Sequence, residues 1–220
     1  MRPKDLVRHL RKAYLKARQL HYPPARQSKA FYRGTSHSVS SVFEDLLARY
    51  CYDRIKRIRG IRIIVDPQIS FPKSRLRNPS GKRPKLVRPD ICIFKDDKAV
   101  IFFYLNLDIG QQRNDFYKQA RKARILEQKI AGKLAKTKNF HFSISKNIQF
   151  IHVIASEANA KREILGKTKK AFKKYGIPLC ILISGVGPND RISDKEFYNK
   201  LKINTSTFKY IDSKIKASLK

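Results

Sequence analysis

Acidic residues are scarce in this chain: 17 Asp and Glu stand against 50 Lys and Arg, giving a formal net charge of +33 over 220 residues. Such an imbalance excludes a charge-neutral surface, because a compact monomer repels itself at that charge unless a polyanion neutralises it. Cysteine is also rare. Cys51, Cys92 and Cys180 are odd in number, far apart and set in apolar segments. They exclude a disulfide framework and read as core thiols in a reducing compartment. No Cys-x-x-Cys pair is present, and His9, His21, His37, His141 and His152 lack zinc spacing. No apolar run reaches the length of a membrane span and no signal-peptide core is seen, so a soluble intracellular protein is expected. No internal repeat emerges.

The remaining composition is that of a globular chain. It is 41% hydrophobic, with 13 Phe and 10 Tyr, which suits one α/β domain with a proper core rather than disorder. Nucleic acid is the expected polyanion, since Lys and Arg gain counterion-release free energy on contacting phosphates. A merely solvated basic surface is the alternative.

The chain is organised around residues 85–110, KLVRPDICIFKDDKAVIFFYLNLDIG. Apolar runs at 86–94 and 99–107 flank Lys95-Asp96-Asp97-Lys98 and predict a β-hairpin. Alternation along a strand puts Tyr104, Asn106 and Asp108 on one face and Phe103, Leu105 and Leu107 on the other. Asp90 is bracketed by Pro89 and Ile91-Cys92-Ile93, and a carboxylate there needs a cation, a metal or a hydrogen-bond donor. Arg88, two residues away, is the ordinary partner; a strand-end cap is the other.

In chain order, residues 1–20 predict an amphipathic helix with Leu6, Leu10, Ala13, Tyr14, Ala17 and Leu20 on one face. Its Arg-rich, acid-poor character also suits a mitochondrial presequence, the lesser reading. A polar, basic linker follows Pro23-Pro24. A second helix starts near Ser41 and runs through Ile55, with Ser41 and Glu44 at capping-box spacing. Glu44 therefore has two readings, a return hydrogen bond to the Ser41 N–H or a role in a metal site.

A strand at 61–69 precedes an acid-free basic loop at 71–85 whose Lys73, Arg75, Arg77, Lys82, Arg83 and Lys85 suit phosphate contacts. Its alternative is a solvated charge run. A long helix at 111–135 carries Arg113, Lys118, Arg121 and Lys122 on its outer face and is a second phosphate-binding candidate. Residues 136–147 read as a polar connection, 148–155 as a buried central strand, 159–175 as a basic helix and 179–184 as the last buried strand. A short helix around 195–201 lies in a Lys-rich tail. The implied divisions are a basic helix and linker at 1–37, a core at 38–190 and a basic C-terminal extension at 191–220.

Arg88-Pro89-Asp90 followed by strand, turn and strand resembles the PD-(D/E)xK nuclease superfamily. Ser36–Leu47 resembles that family's first helix, and Leu107–Gly110 with Arg113–Tyr117 resembles its turn and second helix, so the likeness covers residues 34–188. It implies a restriction-endonuclease-like α/β fold, a mixed β-sheet flanked by helices. It also implies Mg²⁺ held by Asp90, Glu44 and Asp108 if the protein is active, with no cofactor if it is not. The chain departs from the family at the Glu-x-Lys pair, where Tyr104 and Asn106 stand instead. A phenol titrating near about 10 is neutral at working pH and an amide is uncharged, whereas Mg²⁺ depends on hard anionic oxygens. Lys118 or Lys98 is the candidate substitute for the missing Lys.

Three functions compete: a nucleic-acid-binding protein descended from a nuclease, an active Mg²⁺-dependent endonuclease with a rebuilt site, and a structural protein of a ribosome or other ribonucleoprotein particle. The first accounts for charge, scaffold and missing motif together. Duplex DNA is the favoured partner, with RNA second, no membrane, and a homodimer compatible with the family.

Overall fold

The hairpin expected around Asp96-Asp97 forms, and the sheet grows outward from it. A computed structural model describes residues 1–21, 36–71, 86–108, 116–138, 140–158, 160–188 and 190–219; the side chains of 17–21, 36–38, 108 and 116 lie outside that description. In order, the elements are α1 (Pro3–His21), α2 (Ser36–Ile55), β1 (Ile61–Val65), β2 (Ile91–Lys95), β3 (Lys98–Asp108), α3 (Phe116–Ile130) and β4 (Leu134–Lys136). Then come β5 (His141–Ser156), α4 (Arg162–Lys174), β6 (Leu179–Ser184), α5 (Asp194–Lys200), β7 (Lys202–Ile203) and α6 (Thr205–Ser218).

The described strands make one mixed sheet in the order β1-β2-β3-β5-β6-β7, with β4 paired to β5. β1, β2 and β3 form an antiparallel meander, whereas β5 runs parallel to β3 and β6 parallel to β5. Parallel neighbours require crossovers, and α3 and α4 supply them. The α/β class with a mixed, helix-flanked sheet is thereby established.

Alternation divides the core in two. Ile91, Ile93, Ile101 and Phe103 face a cluster shared with α1, α2 and α6, while Cys92, Phe94, Phe102 and Phe150 face one shared with α3 and α4. Both terminal segments contribute to the first cluster through Leu6, Val7 and Leu10 of α1 and Phe208, Ile211 and Ile215 of α6. They are structural layers of the core rather than appended extensions. Arg11, only 1% exposed, ties α1 to the far end of the chain. Its guanidinium donates to the carbonyls of Pro188 at 3.0 Å and of Asp190 and Ile192 at 2.7 Å, and stacks 4.6 Å from the Phe197 ring.

Several boundaries differ from the sequence reading, each for a local reason. The third helix ends at Ile130, because Gly132 adopts φ +71 and terminates it. The expected connection at 136–147 instead holds the end of β4 and the start of β5. Phe142 packs edge-on against Phe94 at 5.0 Å, so the alternation of Phe140, Phe142 and Ile144 marks a strand. β1 stops at Val65, short of the expected Ile69, because the next residue turns out of the strand.

Candidate functional site

Asp66 is that residue. It has φ +47 and precedes Pro67, a position where both the side chain and the following ring disfavour such a backbone. The turn brings its N–H to the carbonyl oxygen of Asp90 at 2.8 Å. Asp90 continues the β2 ladder: its own N–H donates to Phe103 O at 2.9 Å, and the Leu105 N–H donates to its carboxylate Oδ2 at 2.5 Å. With Ile91 registered on Phe103, Asp90 stands across from Tyr104. The expected partner, Arg88, is exposed, and no ion pair joins it to Asp90 among the described residues. A backbone donor from β3 takes that place.

Glu44 approaches from α2. The helix begins at Ser36, five residues before the proposed cap, so Ser41 is interior and the capping-box reading of Glu44 fails. The half-buried Glu44 carboxyl is pushed up to about 7, first by burial and then by the negative charges of Asp90, Asp66 and Asp45. Burial likewise raises Asp90, against the opposing Leu105 N–H bond, with Asp66 adding repulsion. Three carboxyl groups from α2, the β1 end and the β2 start thus act on one another. Asp66 is the member of this group that the sequence did not single out.

Across from Asp90 stands Tyr104, where the resemblance leads to the expectation of Glu. Its ring stacks on His152 of β5 at 5.1 Å and lies 5.6 Å from Phe150, while Phe172 of α4 packs edge-on against His152 at 4.8 Å. Burial and the Asp90 charge raise the phenol further above its usual range, and burial pulls His152 down to about 4. Both groups are neutral near pH 7. Their polar atoms, Tyr104 Oη and His152 Nε2, are buried with no hydrogen-bond partner among the described residues. Asn106, half-buried, follows on the same strand face.

The resemblance implies a Mg²⁺ ion, and the described donors do not fit one. No three His, Cys, Asp or Glu side chains among the described residues are arranged to hold a metal, and the position facing Asp90 holds a neutral phenol. The backbone of Asp108 ends β3, but its side chain lies outside the described residues. The candidate substitute cations, Lys98 and Lys118, stand on β3 and α3. Lys98 sits beside the hairpin turn, six residues and about 20 Å along β3 from Tyr104. Lys118 is exposed on α3 and is not among the charges that act on Glu44 or Asp90.

Of the expected phosphate contacts, Arg121 and Lys122 are exposed on α3 alongside Lys118. Lys73, Arg75, Arg77, Lys82, Arg83, Lys85 and Arg113 lie outside the described residues. Sequence reasoning missed Asp66 and His152. Asp66-Pro67 closing an apolar run was a readable strand-end signal. His152 inside a continuous apolar strand carried none. Among the described residues no helix is long and apolar enough to cross a membrane. No family model, curated protein or solved structure matches the chain.

Proposed function

We propose that this is a nucleic-acid-binding protein built on a restriction-endonuclease-like scaffold whose hydrolytic site has been lost. The observation that carries the reading is Tyr104: the residue facing Asp90 is a half-buried, neutral, aromatic side chain, its hydroxyl buried and its ring stacked on His152, where phosphodiester hydrolysis would need an anionic oxygen ligand. The order of α2, an antiparallel β1–β2–β3 meander, α3 and a parallel β5 supports the scaffold. The net charge of +33 supports the partner.

The carboxyl groups that remain serve the fold rather than a reaction. Asp90 anchors β2 to β3 through the Leu105 N–H, and its carbonyl receives the β1 end through Asp66. Duplex DNA is the favoured ligand and RNA the second. Phosphate contacts position a protein without reading sequence, so binding has little sequence preference and falls steeply with salt.

The test combines binding and cleavage on the same duplex DNA and RNA. Saturable, salt-sensitive binding with intact substrate in Mg²⁺ or Mn²⁺ supports the reading. Cleavage lost on Asp90→Asn would replace it with an active nuclease, and absence of nucleic-acid binding would remove it altogether.

A further inference from the structure

α3 and α4 pack side by side on one sheet face, both contributing to the cluster around Phe102 and Phe150. Together they carry eleven Lys and Arg against two Glu. Each Glu is already engaged on its own helix, Glu127 with Arg124 and Glu163 with Lys167. α2, on the opposite face, carries two Arg against three acidic residues. With α1 and α6, which share its face, α2 brings that side to eleven Lys and Arg against five acidic residues, so cations outnumber acids by the wider margin on the shorter α3–α4 pair.

The cations there are presented outward. Arg121, Lys122, Lys170 and Lys173 are exposed, and no carboxylate among the described residues lies within ion-pair reach of them. Lys174 bridges the seam between the helices, its Nζ 5.8 Å from the centre of the Tyr117 ring. Packed helices lie about 8–10 Å apart, comparable with the Debye length of about 8 Å at physiological salt. The two rows of charge repel each other incompletely screened, and a polyanion laid across both relieves that repulsion.

We propose that the α3–α4 face is a docking surface for the backbone of a nucleic-acid duplex, with Lys170, Lys173 and Lys174 of α4 contacting phosphates beside Arg121 and Lys122 of α3. This rests on the reading of the protein as a nucleic-acid binder and adds a second helix to its interface. A duplex fits better than a single strand. Single-strand grooves present aromatic platforms on which bases stack, whereas Tyr117, 40% exposed and with the Lys174 ammonium near its ring, is the only exposed aromatic described on these two helices.

The experiment uses the full chain and a labelled mixed-sequence DNA duplex, with affinity followed between about 50 and 200 mM salt. Lys170→Ala/Lys173→Ala/Lys174→Ala should weaken binding equally on unrelated sequences. It should flatten the slope of log K against log salt by about 0.9 for each phosphate that is no longer neutralised. The matching triple Lys→Arg variant should keep the parent slope, separating charge from folding. Unchanged affinity and slope in the alanine variant, with parent binding intact, would overturn this surface and leave the nucleic-acid reading standing. A parent that binds neither DNA nor RNA would overturn both. Binding confined to phosphatidylserine vesicles, and abolished in the alanine variant, would overturn the proposal in favour of an anionic lipid surface.

Discussion

The backbone N–H of Asp66 donates to the carbonyl oxygen of Asp90 at 2.8 Å, so the end of β1 and the start of β2 hold two carboxylic acids side by side. Glu44 of α2 feels both charges, and that repulsion has a measurable consequence.

Glu44 should make the protein less stable as pH rises from about 4.5 to about 7. Its carboxyl titrates at about 7 when folded, against an ordinary 4.5. The unfolded chain therefore gives up the proton first, and the penalty is complete above the folded value. Glu44→Gln should remove this slope and stabilise the protein at pH 8 by roughly 1 kcal/mol, after discounting for solvent screening. His152 works the other way, losing stability as pH falls from about 6.5 towards 4, so the difference between parent and variant is the quantity to follow. Urea unfolding at pH 5 and pH 8 measures it. An equal pH slope in both proteins would show that Glu44 is not crowded.

Tyr104→Phe should stabilise the protein by about 1 kcal/mol, because the buried hydroxyl has no partner among the described residues and its desolvation is uncompensated. The urea midpoint at neutral pH measures the change. Destabilisation of similar size would mean that Oη does have a partner and that the aromatic plug is also a polar one.

Arg11→Met should cost about 3 kcal/mol or more. It removes a buried cation and leaves the carbonyls of Pro188, Asp190 and Ile192 without their donor. The midpoint of thermal unfolding measures the loss. A change near zero would show that the Arg11 contacts do not hold α1 to the 188–192 segment.

The sheet was largely legible in the sequence because its strands are strongly apolar and its turn is polar: the 95–98 turn and the 179–184 strand fall where expected. The core roles of α1 and α6 were not. Amphipathic patterning says that Leu6 and Leu10 are buried but not against what, and Arg11, one of many basic residues in sequence, is distinguished by the distant carbonyls it reaches. The cap reading of Glu44 fails because capping depends on where the helix begins, and α2 begins at Ser36. Asp66 belongs to the site through a backbone turn at φ +47, which composition does not encode.

The central claim is that the scaffold binds nucleic acid without cutting it, and plasmid nicking at saturating protein tests it most directly. With Mg²⁺ or Mn²⁺ the natural chain should retard supercoiled plasmid and leave it intact. Tyr104→Glu with Asn106→Lys places an acidic oxygen opposite Asp90 and a cation two residues on, supplying the charges hydrolysis requires. Nicking by that variant alone is the predicted result. Nicking by the natural protein that disappears in Asp90→Asn would contradict the account.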